Sequence, residues 1–232
     1  MATYVLIHGA ASDSWYWHLV VPRLRARGHD VVAPDLPSDD DSAGLSEYTD
    51  AVVDAIGGRA DRNELVVVAQ SFGGFTAPLV CDRVPVRLLV LLAAMVPRPG
   101  ERPADWWADT GFEQARREQA ERESWAGGVE HDPLVEYFHD VPSDVVAEAY
   151  ARGERHQSGT PLEKPWPLAA WPDVPTRFLL CRDDRFFPAE FLRRVVRDRL
   201  GITPDEMAGG HLPALAHPDD LVERLETYRI AM

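Results

Sequence analysis

The sequence predicts an α/β fold built on a parallel β-sheet, and three observations support this class. Strand-like and helix-like segments alternate through residues 1–96, which is typical of right-handed crossovers between parallel strands. Within them, Leu65–Val68 is apolar at consecutive positions, as expected for a central strand that is covered on both faces. The same alternation resumes at Thr176, after a long stretch of different character.

The first part of the chain provides four predicted strands with helices between them. Gly28 is the stop signal of the first helix, because glycine readily adopts the left-handed conformation that ends helices. In chain order, the predictions are strand Thr3–Ile7, helix Trp15–Arg27, strand Asp30–Ala33, helix Glu47–Ala60, a strand beginning near Leu65, a helix ending near Arg83, and strand Val86–Ala93.

Residues 97–172 have a different character, with frequent proline, many charges and no evident strand. Helices are expected over Phe112–Ser124 and Ser143–Arg152. We predict a helical cap inserted at 97–172 into a core formed by 1–96 and 173–232. Five of the seven tryptophans lie in this cap: Trp106, Trp107, Trp125, Trp166 and Trp171. Each is explained most simply by packing within the insertion, but the cluster favours an apolar pocket.

The α/β pattern resumes after the cap with strand Thr176–Cys181, helix Glu190–Leu200, a weak strand Ile202–Met207 and a terminal helix Asp219–Tyr228. An aspartate pair, Asp183 and Asp184, directly follows one of these strands, and His211 follows the next. Carboxyl ends of parallel strands meet at one edge of a sheet, so these side chains are expected to converge there.

Composition excludes several function classes. The chain has 232 residues, enough for one large domain, and a formal charge of −14, which would repel the phosphates of nucleic acids and anionic membranes. We therefore expect a small-molecule substrate, no nucleic acid or membrane partner, and a monomer or homodimer. No secretory or membrane-spanning pattern is present, which favours the cytoplasm. Cys81 and Cys181 lie in apolar runs, and no metal or cofactor motif occurs.

Ser71 is the candidate nucleophile. The apolar strand stops at Gln70-Ser71, and Gly73 and Gly74 follow, a pattern that predicts a sharp strand-to-helix turn. At such a turn the serine lies beside a helix N-terminus, whose free N–H groups favour a developing oxyanion. The alternative is a serine that merely caps the helix.

A serine hydroxyl is a poor nucleophile at neutral pH, so it needs a histidine to accept its proton and a carboxylate to orient that histidine. The chain order here is Ser71, then Asp183 or Asp184, then His211. This order matches a nucleophile and an acid at strand ends and a histidine in the last loop. We therefore predict a catalytic triad of these residues.

On these residues the sequence resembles the α/β-hydrolase superfamily over essentially its whole length. The resemblance is carried by His8-Gly9-Ala10, Asp35-Leu36-Pro37, Gln70–Gly74, Asp184 with Pro188, and Gly210-His211. The segment Cys181–Phe191 resembles the plant methylesterase and hydroxynitrile lyase branch.

This resemblance implies an α/β-hydrolase fold with a mostly parallel six-stranded sheet, helices on both faces and a helical cap. It also implies that Asp184, four residues before Pro188, is the acid, with Asp183 as the runner-up. The backbone N–H groups of Ala10 and Phe72 would form the oxyanion hole.

Two positions favour ester hydrolysis within this branch. The lyases resemble one another in having threonine where this chain has Gly9 and lysine where it has Leu212. Without a nearby cation, cyanide release is difficult, so we predict a carboxylesterase that forms an acyl-enzyme on Ser71 and cleaves a small apolar or aromatic ester. Three alternatives stay open: a lyase-like enzyme, a thioesterase or cyclase with the same triad, and a non-catalytic receptor of small ligands.

The remaining candidate residues have simpler interpretations. His8 is expected to order the loop before the oxyanion hole, and Gln70 to shape the pocket. His217 is expected to be structural or exposed, and the cap histidines to face solvent; these are His131, His139 and His156.

Overall fold

The computed structural model describes residues 1–59, 64–123 and 132–232. Six strands form one sheet in which every neighbouring pair is parallel. The strands are β1 (Ala2–Ile7), β2 (Asp30–Val32), β3 (Glu64–Gln70), β4 (Leu88–Leu92), β5 (Thr176–Cys181) and β6 (Asp205–Met207). Their order across the sheet is β2-β1-β3-β4-β5-β6, which confirms the predicted fold class and places β3 near the centre.

The helices connect the strands and close the C-terminus. They are α1 (Val20–Ala26), α2 (Leu45–Ile56), α3 (Gly73–Arg83), α4 (Trp106–Thr110), α5 (Phe112–Glu123), α6 (Pro133–Glu136), α7 (Ser143–Ala151), α8 (Ala189–Leu200), α9 (Pro213–Ala216) and α10 (Pro218–Ile230). Three short 3₁₀ turns, Ser14–Trp17, Gly57–Arg59 and Thr160–Leu162, complete the described elements.

Side chains of β3 alternate between two hydrophobic clusters, one on each face of the sheet. Val67 and Ala69 pack in one cluster, which also holds residues of α2, α3 and α8. Val66 and Val68 pack in the other, which holds residues of α1 and α10. Since both faces are covered, every β3 residue after Glu64 is buried. This explains why apolar and polar residues do not alternate along the strand.

Several predicted boundaries shift, and proline or backbone geometry explains the shifts. The predicted helix Trp15–Arg27 divides into the 3₁₀ turn and α1, because Pro22 lacks an N–H and is tolerated only in a first helical turn. The last strand begins at Asp205, directly after Pro204. β4 ends before Ala93, whose φ of +42° leaves the strand conformation.

Two tryptophans of segment 97–172 belong to the hydrophobic core between the sheet and its helices. Trp106 and Trp166 are buried in the same cluster as α3 and α8. Their indole N–H groups donate to the carbonyls of Val96 and Phe75, each at 3.0 Å. These contacts satisfy the polar atom of each ring, so both side chains serve the packing of the whole domain rather than a separate cap core.

The described parts of the predicted cap, 97–123 and 132–172, contain helices and no strand. The division into core and cap stays a prediction. Trp125 and His131 lie outside the described residues, as do the last residues of the predicted helices ending at Ala60 and Ser124.

No helix within the described ranges combines the length and the apolarity that crossing a membrane requires.

Candidate active site

Ser71 lies at the sharp turn between β3 and α3, in a backbone conformation that serine rarely adopts. Its φ is +52°, in the left-handed region, where a non-glycine residue costs about 1–3 kcal/mol. The turn is possible because glycines follow: a Cβ on Gly74 would lie 1.9 Å from the Met95 carbonyl oxygen, and one on Gly73 would lie 2.9 Å from that of His8. Ser71 does not cap α3, whose N-cap residue is Phe72.

A continuous hydrogen-bond chain joins the three predicted triad side chains. The Ser71 hydroxyl donates to Nε2 of His211 at 3.1 Å, and Nδ1 of His211 donates to Oδ2 of Asp184 at 2.8 Å. Because the carboxylate accepts from Nδ1–H, Nε2 is left with a free lone pair for the serine proton. The structure thus brings together residues that are 140 and 27 positions apart.

Asp184 is held in place by the backbone that follows it. The carboxylate is fully buried, and its second oxygen, Oδ1, accepts from the backbone N–H groups of Phe186 and Phe187, both at 2.8 Å. The amide of Gln119 donates to its carbonyl oxygen at 3.0 Å. These contacts leave Oδ2 directed at His211, as a triad acid requires.

Asp183 has a different partner, so the structure separates the two neighbouring aspartates. Its Oδ2 accepts from the Gly209 N–H at 2.9 Å, and its own N–H donates to the Gly209 carbonyl at 3.0 Å. Asp183 therefore links the end of β5 to the loop that carries His211, whereas the ring nitrogens of His211 bond to Asp184 and Ser71.

His8 orders the loop that precedes Ala10, as its position in the sequence predicted. Its Nδ1–H donates to the Gly9 carbonyl at 2.8 Å, and its Nε2 accepts from the Leu36 N–H at 3.1 Å. Both ring nitrogens are therefore occupied. Burial lowers the pKa of His8, which keeps the ring neutral in this arrangement.

The predicted oxyanion residues, Ala10 and Phe72, line the same cavity as Ser71. Neither backbone N–H group donates to another described residue. They are therefore available to a ligand atom bound next to Ser71, which is the requirement for an oxyanion hole.

A cavity of about 620 Å³ opens onto Ser71 and His211. Eight of the residues that line it carry aromatic rings: Trp15, Tyr16, Phe72, Trp107, Tyr137, Phe138, Tyr150 and Phe186. Burial raises the pKa of Tyr137 to about 12, so its phenol stays protonated at neutral pH. Among the cap tryptophans, Trp107 lines the cavity, so part of the predicted aromatic lining is present.

Charged residues that the sequence analysis did not single out also line the cavity: Asp13, Arg152, Glu154 and Arg155. Asp13 pairs with Arg152 at 2.9 Å and with Arg155 at 2.5 Å, and the Arg152 guanidinium lies 5.3 Å from the Trp15 ring centroid. Asp13 is far from both arginines in sequence, so no local pattern indicates this cluster.

A second carboxylate, that of Asp140, also holds the His211 loop. Asp140 Oδ2 accepts from the Gly210 N–H at 2.7 Å and lies 3.3 Å from Nε2 of His217. The His139 side chain also packs closely against Gly210, since a Cβ on Gly210 would lie 2.6 Å from Nε2 of His139. That nitrogen is buried, so the expectation that His139 faces solvent is wrong for this atom. The adjacent pair Gly209-Gly210 was the only sequence signal for this packing.

In the part of the chain that the structure describes, no group of three or more histidine, cysteine, aspartate or glutamate side chains is arranged to hold a metal ion.

The sequence model described as the alpha/beta hydrolase family matches residues 4–224. The chain belongs to the alpha/beta hydrolase family. This hydrolase is 27% identical over 248 residues to a probable esterase of rice (Oryza sativa), with 96% of the chain and 94% of the relative covered. It is 24% identical over 255 residues to methyl jasmonate esterase 1 of grapevine (Vitis vinifera), with 96% and 95% covered.

Among solved structures, the hydrolase is similar to polyneuridine aldehyde esterase, with a TM-score of 0.77, 19% identity and 99% of each chain covered. A protein of that name from Rauvolfia serpentina is 23% identical over 211 residues, with 81% of the chain and 80% of the relative covered. The structural likeness shows the fold. The curated relatives confirm the resemblance to the plant methylesterase branch.

A side chain at Gly9 would require the end of the Gln70 side chain to move. A Cβ at this position would lie 2.4 Å from Oε1 of Gln70 and 3.0 Å from Cβ of Ser71. The threonine that characterises the lyases therefore does not fit while Gln70 keeps its position.

Proposed function

We propose that the protein is a serine carboxylesterase that cleaves a small apolar or aromatic ester through an acyl-enzyme on Ser71. The observation that carries the proposal is the hydrogen-bond chain from Ser71 through His211 to Asp184, which ends at an aromatic cavity. Membership of the alpha/beta hydrolase family and the esterase names of the rice and grapevine relatives support ester hydrolysis.

In the acylation step, Nε2 of His211 accepts the Ser71 proton while Oγ forms a bond to the ester carbonyl carbon. Negative charge develops on the carbonyl oxygen and is stabilised by the N–H groups of Ala10 and Phe72; one such donor is typically worth about 100- to 1000-fold in rate. Asp184 stabilises the imidazolium that forms.

Collapse of the tetrahedral intermediate breaks the bond to the alcohol, which leaves with the proton from His211. Water then enters, and His211 accepts one of its protons as the oxygen attacks the acyl carbon. The second collapse releases the carboxylic acid and returns the proton to Ser71. No cofactor or metal is required by these steps.

The substrate and the compartment belong to the same proposal. The aromatic walls of the cavity favour an apolar or aromatic group on a small molecule. A cytoplasmic location fits two unpaired cysteines. Burial raises the pKa of Cys81 to about 12 and holds the pKa of Cys181 well above its ordinary value, so neither thiol is reactive.

The test compares the wild type with Ser71→Ala on p-nitrophenyl acetate and butyrate, together with labelling by a fluorophosphonate probe. We expect turnover and labelling of the wild type, and neither for the variant. If the folded wild type neither turns over nor becomes labelled, the esterase proposal is wrong and a non-catalytic receptor of small ligands becomes the better interpretation.

A further inference from the structure

The loop that carries the predicted oxyanion donor Ala10 continues into a residue with a backbone conformation that side chains rarely adopt. Ala11 has a φ of +50°, in the left-handed region. Such a conformation is unfavourable for a residue other than glycine and persists only where surrounding contacts hold it. One such contact comes from the segment 97–172: the Ala11 N–H donates to Oε1 of Gln157 at 3.1 Å, across 146 positions of sequence.

The amide of Gln157 can face Ala11 only with its oxygen. Its Nε2 donates to the hydroxyl of Tyr48 and to the backbone carbonyl of Ser158, both at 3.0 Å. A carbonyl oxygen can only accept, so the amide nitrogen must lie on that side and the oxygen is left for the Ala11 N–H. Rotating the amide by half a turn would place two donors against each other, so the contacts fit one orientation.

The contacts of Gln157 lead to the core of the domain. Tyr48 belongs to α2 and is 1% exposed. Ser158, the next residue, is also buried, and its N–H donates to the carbonyl of Ser38 at 2.7 Å. These bonds fix the position from which the amide oxygen reaches Ala11.

The two peptide groups that flank Ala10 are therefore each held by a side chain. The Gly9 carbonyl accepts from Nδ1–H of His8 at 2.8 Å, and this carbonyl belongs to the same planar peptide as the Ala10 N–H. The next peptide supplies the Ala11 N–H that Gln157 accepts. The Ala10 N–H itself donates to no other residue in the described part of the chain. Such a donor, fixed in place before a ligand arrives, is what stabilises a developing oxyanion.

We propose that Gln157 is a positioning residue of the oxyanion hole. Its amide oxygen holds the peptide between Ala10 and Ala11, and thereby keeps the Ala10 N–H directed at the carbonyl oxygen of a bound ester. This inference rests on the proposed esterase function. It extends the oxyanion machinery to a residue of the predicted cap that the sequence analysis did not single out.

Loss of the Gln157 oxygen should weaken the transition state more than the binding of substrate. Ala11 is exposed, so water can replace the lost acceptor, and the effect comes from displacement of Ala10. Complete loss of an oxyanion donor typically costs about 100- to 1000-fold in rate. Because the donor is displaced and not removed, we expect Gln157→Met to lower kcat on p-nitrophenyl butyrate about tenfold.

Two further variants show whether the effect arises from Oε1. Gln157→Ala removes the same oxygen without adding an apolar chain, and it should behave as Gln157→Met does. Tyr48→Phe is the matched control, since it removes one partner of Nε2 but leaves the bond from Ala11 to Oε1. Its kcat should stay within about twofold of the wild type. A loss in Tyr48→Phe as large as that in both Gln157 variants would contradict the role of the oxygen.

Two ketones separate the oxyanion hole from the shape of the cavity. With phenethyl trifluoromethyl ketone, Oγ of Ser71 bonds reversibly to the carbonyl carbon, the serine proton passes to Nε2 of His211, and the carbonyl oxygen becomes an oxyanion. Phenethyl methyl ketone is much less electrophilic and binds without this addition. In Gln157→Met, Ki of the trifluoromethyl ketone should rise about tenfold and Ki of the methyl ketone less than about twofold. A purely structural role of Gln157 would raise both by the same factor.

Failure of the esterase proposal is distinguishable from failure of this one. If the wild type neither hydrolyses p-nitrophenyl butyrate nor is labelled by a fluorophosphonate, the esterase function is wrong and the role of Gln157 is lost with it. If the wild type does both, but the two Ki values rise by equal factors in the Gln157 variants or kcat is unchanged, only the role of Gln157 is wrong.

Discussion

Two adjacent aspartates, Asp183 and Asp184, bind different groups although both follow β5. The Asp184 carboxylate reaches the imidazole of His211, whereas that of Asp183 reaches the Gly209 N–H. A triad acid that becomes an amide favours the wrong histidine tautomer, since its N–H group cannot accept from Nδ1–H. Replacing the carboxylate by an amide should therefore affect catalysis at Asp184 and not at Asp183.

We predict that Asp184→Asn lowers kcat by about 10³- to 10⁴-fold on p-nitrophenyl butyrate. Asp183→Asn should lower it by less than about tenfold, because an asparagine oxygen can still accept from Gly209. Each variant is the control for the other, because both make the same chemical change at adjacent positions. If Asp183→Asn causes the larger loss, the acid has been assigned to the wrong residue.

Gly74 is required by packing rather than by flexibility. A Cβ there would lie 1.9 Å from the backbone oxygen of Met95, an atom that cannot move without displacing the segment after β4. Gly58 has no heavy atom within 4 Å of the corresponding position.

We predict that Gly74→Ala lowers the free energy of unfolding by at least about 2 kcal/mol, the usual scale of overpacking. Gly58→Ala should change it by no more than about 0.5 kcal/mol. Urea unfolding of both variants measures the difference. Similar stability of the two would show that the turn after Ser71 tolerates a side chain.

At the scale of elements, the loop between β6 and α9 depends on contacts from two directions. Asp183 binds Gly209 from the end of β5, and Asp140, in the connection between α6 and α7, binds the Gly210 N–H and approaches His217. His211 follows directly in the chain, so its ring position depends on elements that are remote in sequence.

We predict that Asp140→Ala lowers kcat about tenfold and changes KM little, because small displacements of a catalytic group are costly while the aromatic cavity is retained. Asp144→Ala, at an exposed position of α7, is the matched control and should behave as the wild type. Steady-state kinetics on p-nitrophenyl butyrate decide the outcome. An unchanged kcat in Asp140→Ala would mean that the other contacts of the loop position His211 without Asp140.

At the scale of the whole molecule, α10 is joined to the first strand by a polar cluster around Glu226. Burial by itself would raise the pKa of this carboxyl, but hydrogen bonds from Arg229, Tyr4 and His29 outweigh burial and lower the pKa from 4.5 to about 2. The C-terminal helix and β1 are therefore linked by a carboxylate that is charged at neutral pH.

A lowered carboxyl pKa stabilises the folded state above pH 4.5, and the stabilisation is lost as the pH falls towards about 2. We predict that Glu226→Gln lowers the free energy of unfolding at pH 7 by about 1–2 kcal/mol after screening by solvent. The variant and the wild type should converge in stability as the pH approaches 2, which denaturant titrations at several pH values can measure. A constant difference across this range would show that Glu226 contributes through packing and not through its charge.

The sequence alone determined the features that depend on neighbouring residues. The apolar run before Ser71, the glycines after it and the alternation of helices and strands are local signals, because hydrophobic period and glycine geometry act over a few residues. They predicted the parallel sheet and the chain order of Ser71, Asp184 and His211. The choice between Asp183 and Asp184 needed the family resemblance, because both follow the same strand.

Only the tertiary structure decided which distant groups meet. It directs Trp106 and Trp166 into the common core, Asp140 onto the His211 loop and Oε1 of Gln70 over Gly9. The amide of Gln70 and the carbonyl of His211 are 141 residues apart. Such contacts arise from how elements pack against one another, and a single sequence carries no local pattern that specifies them.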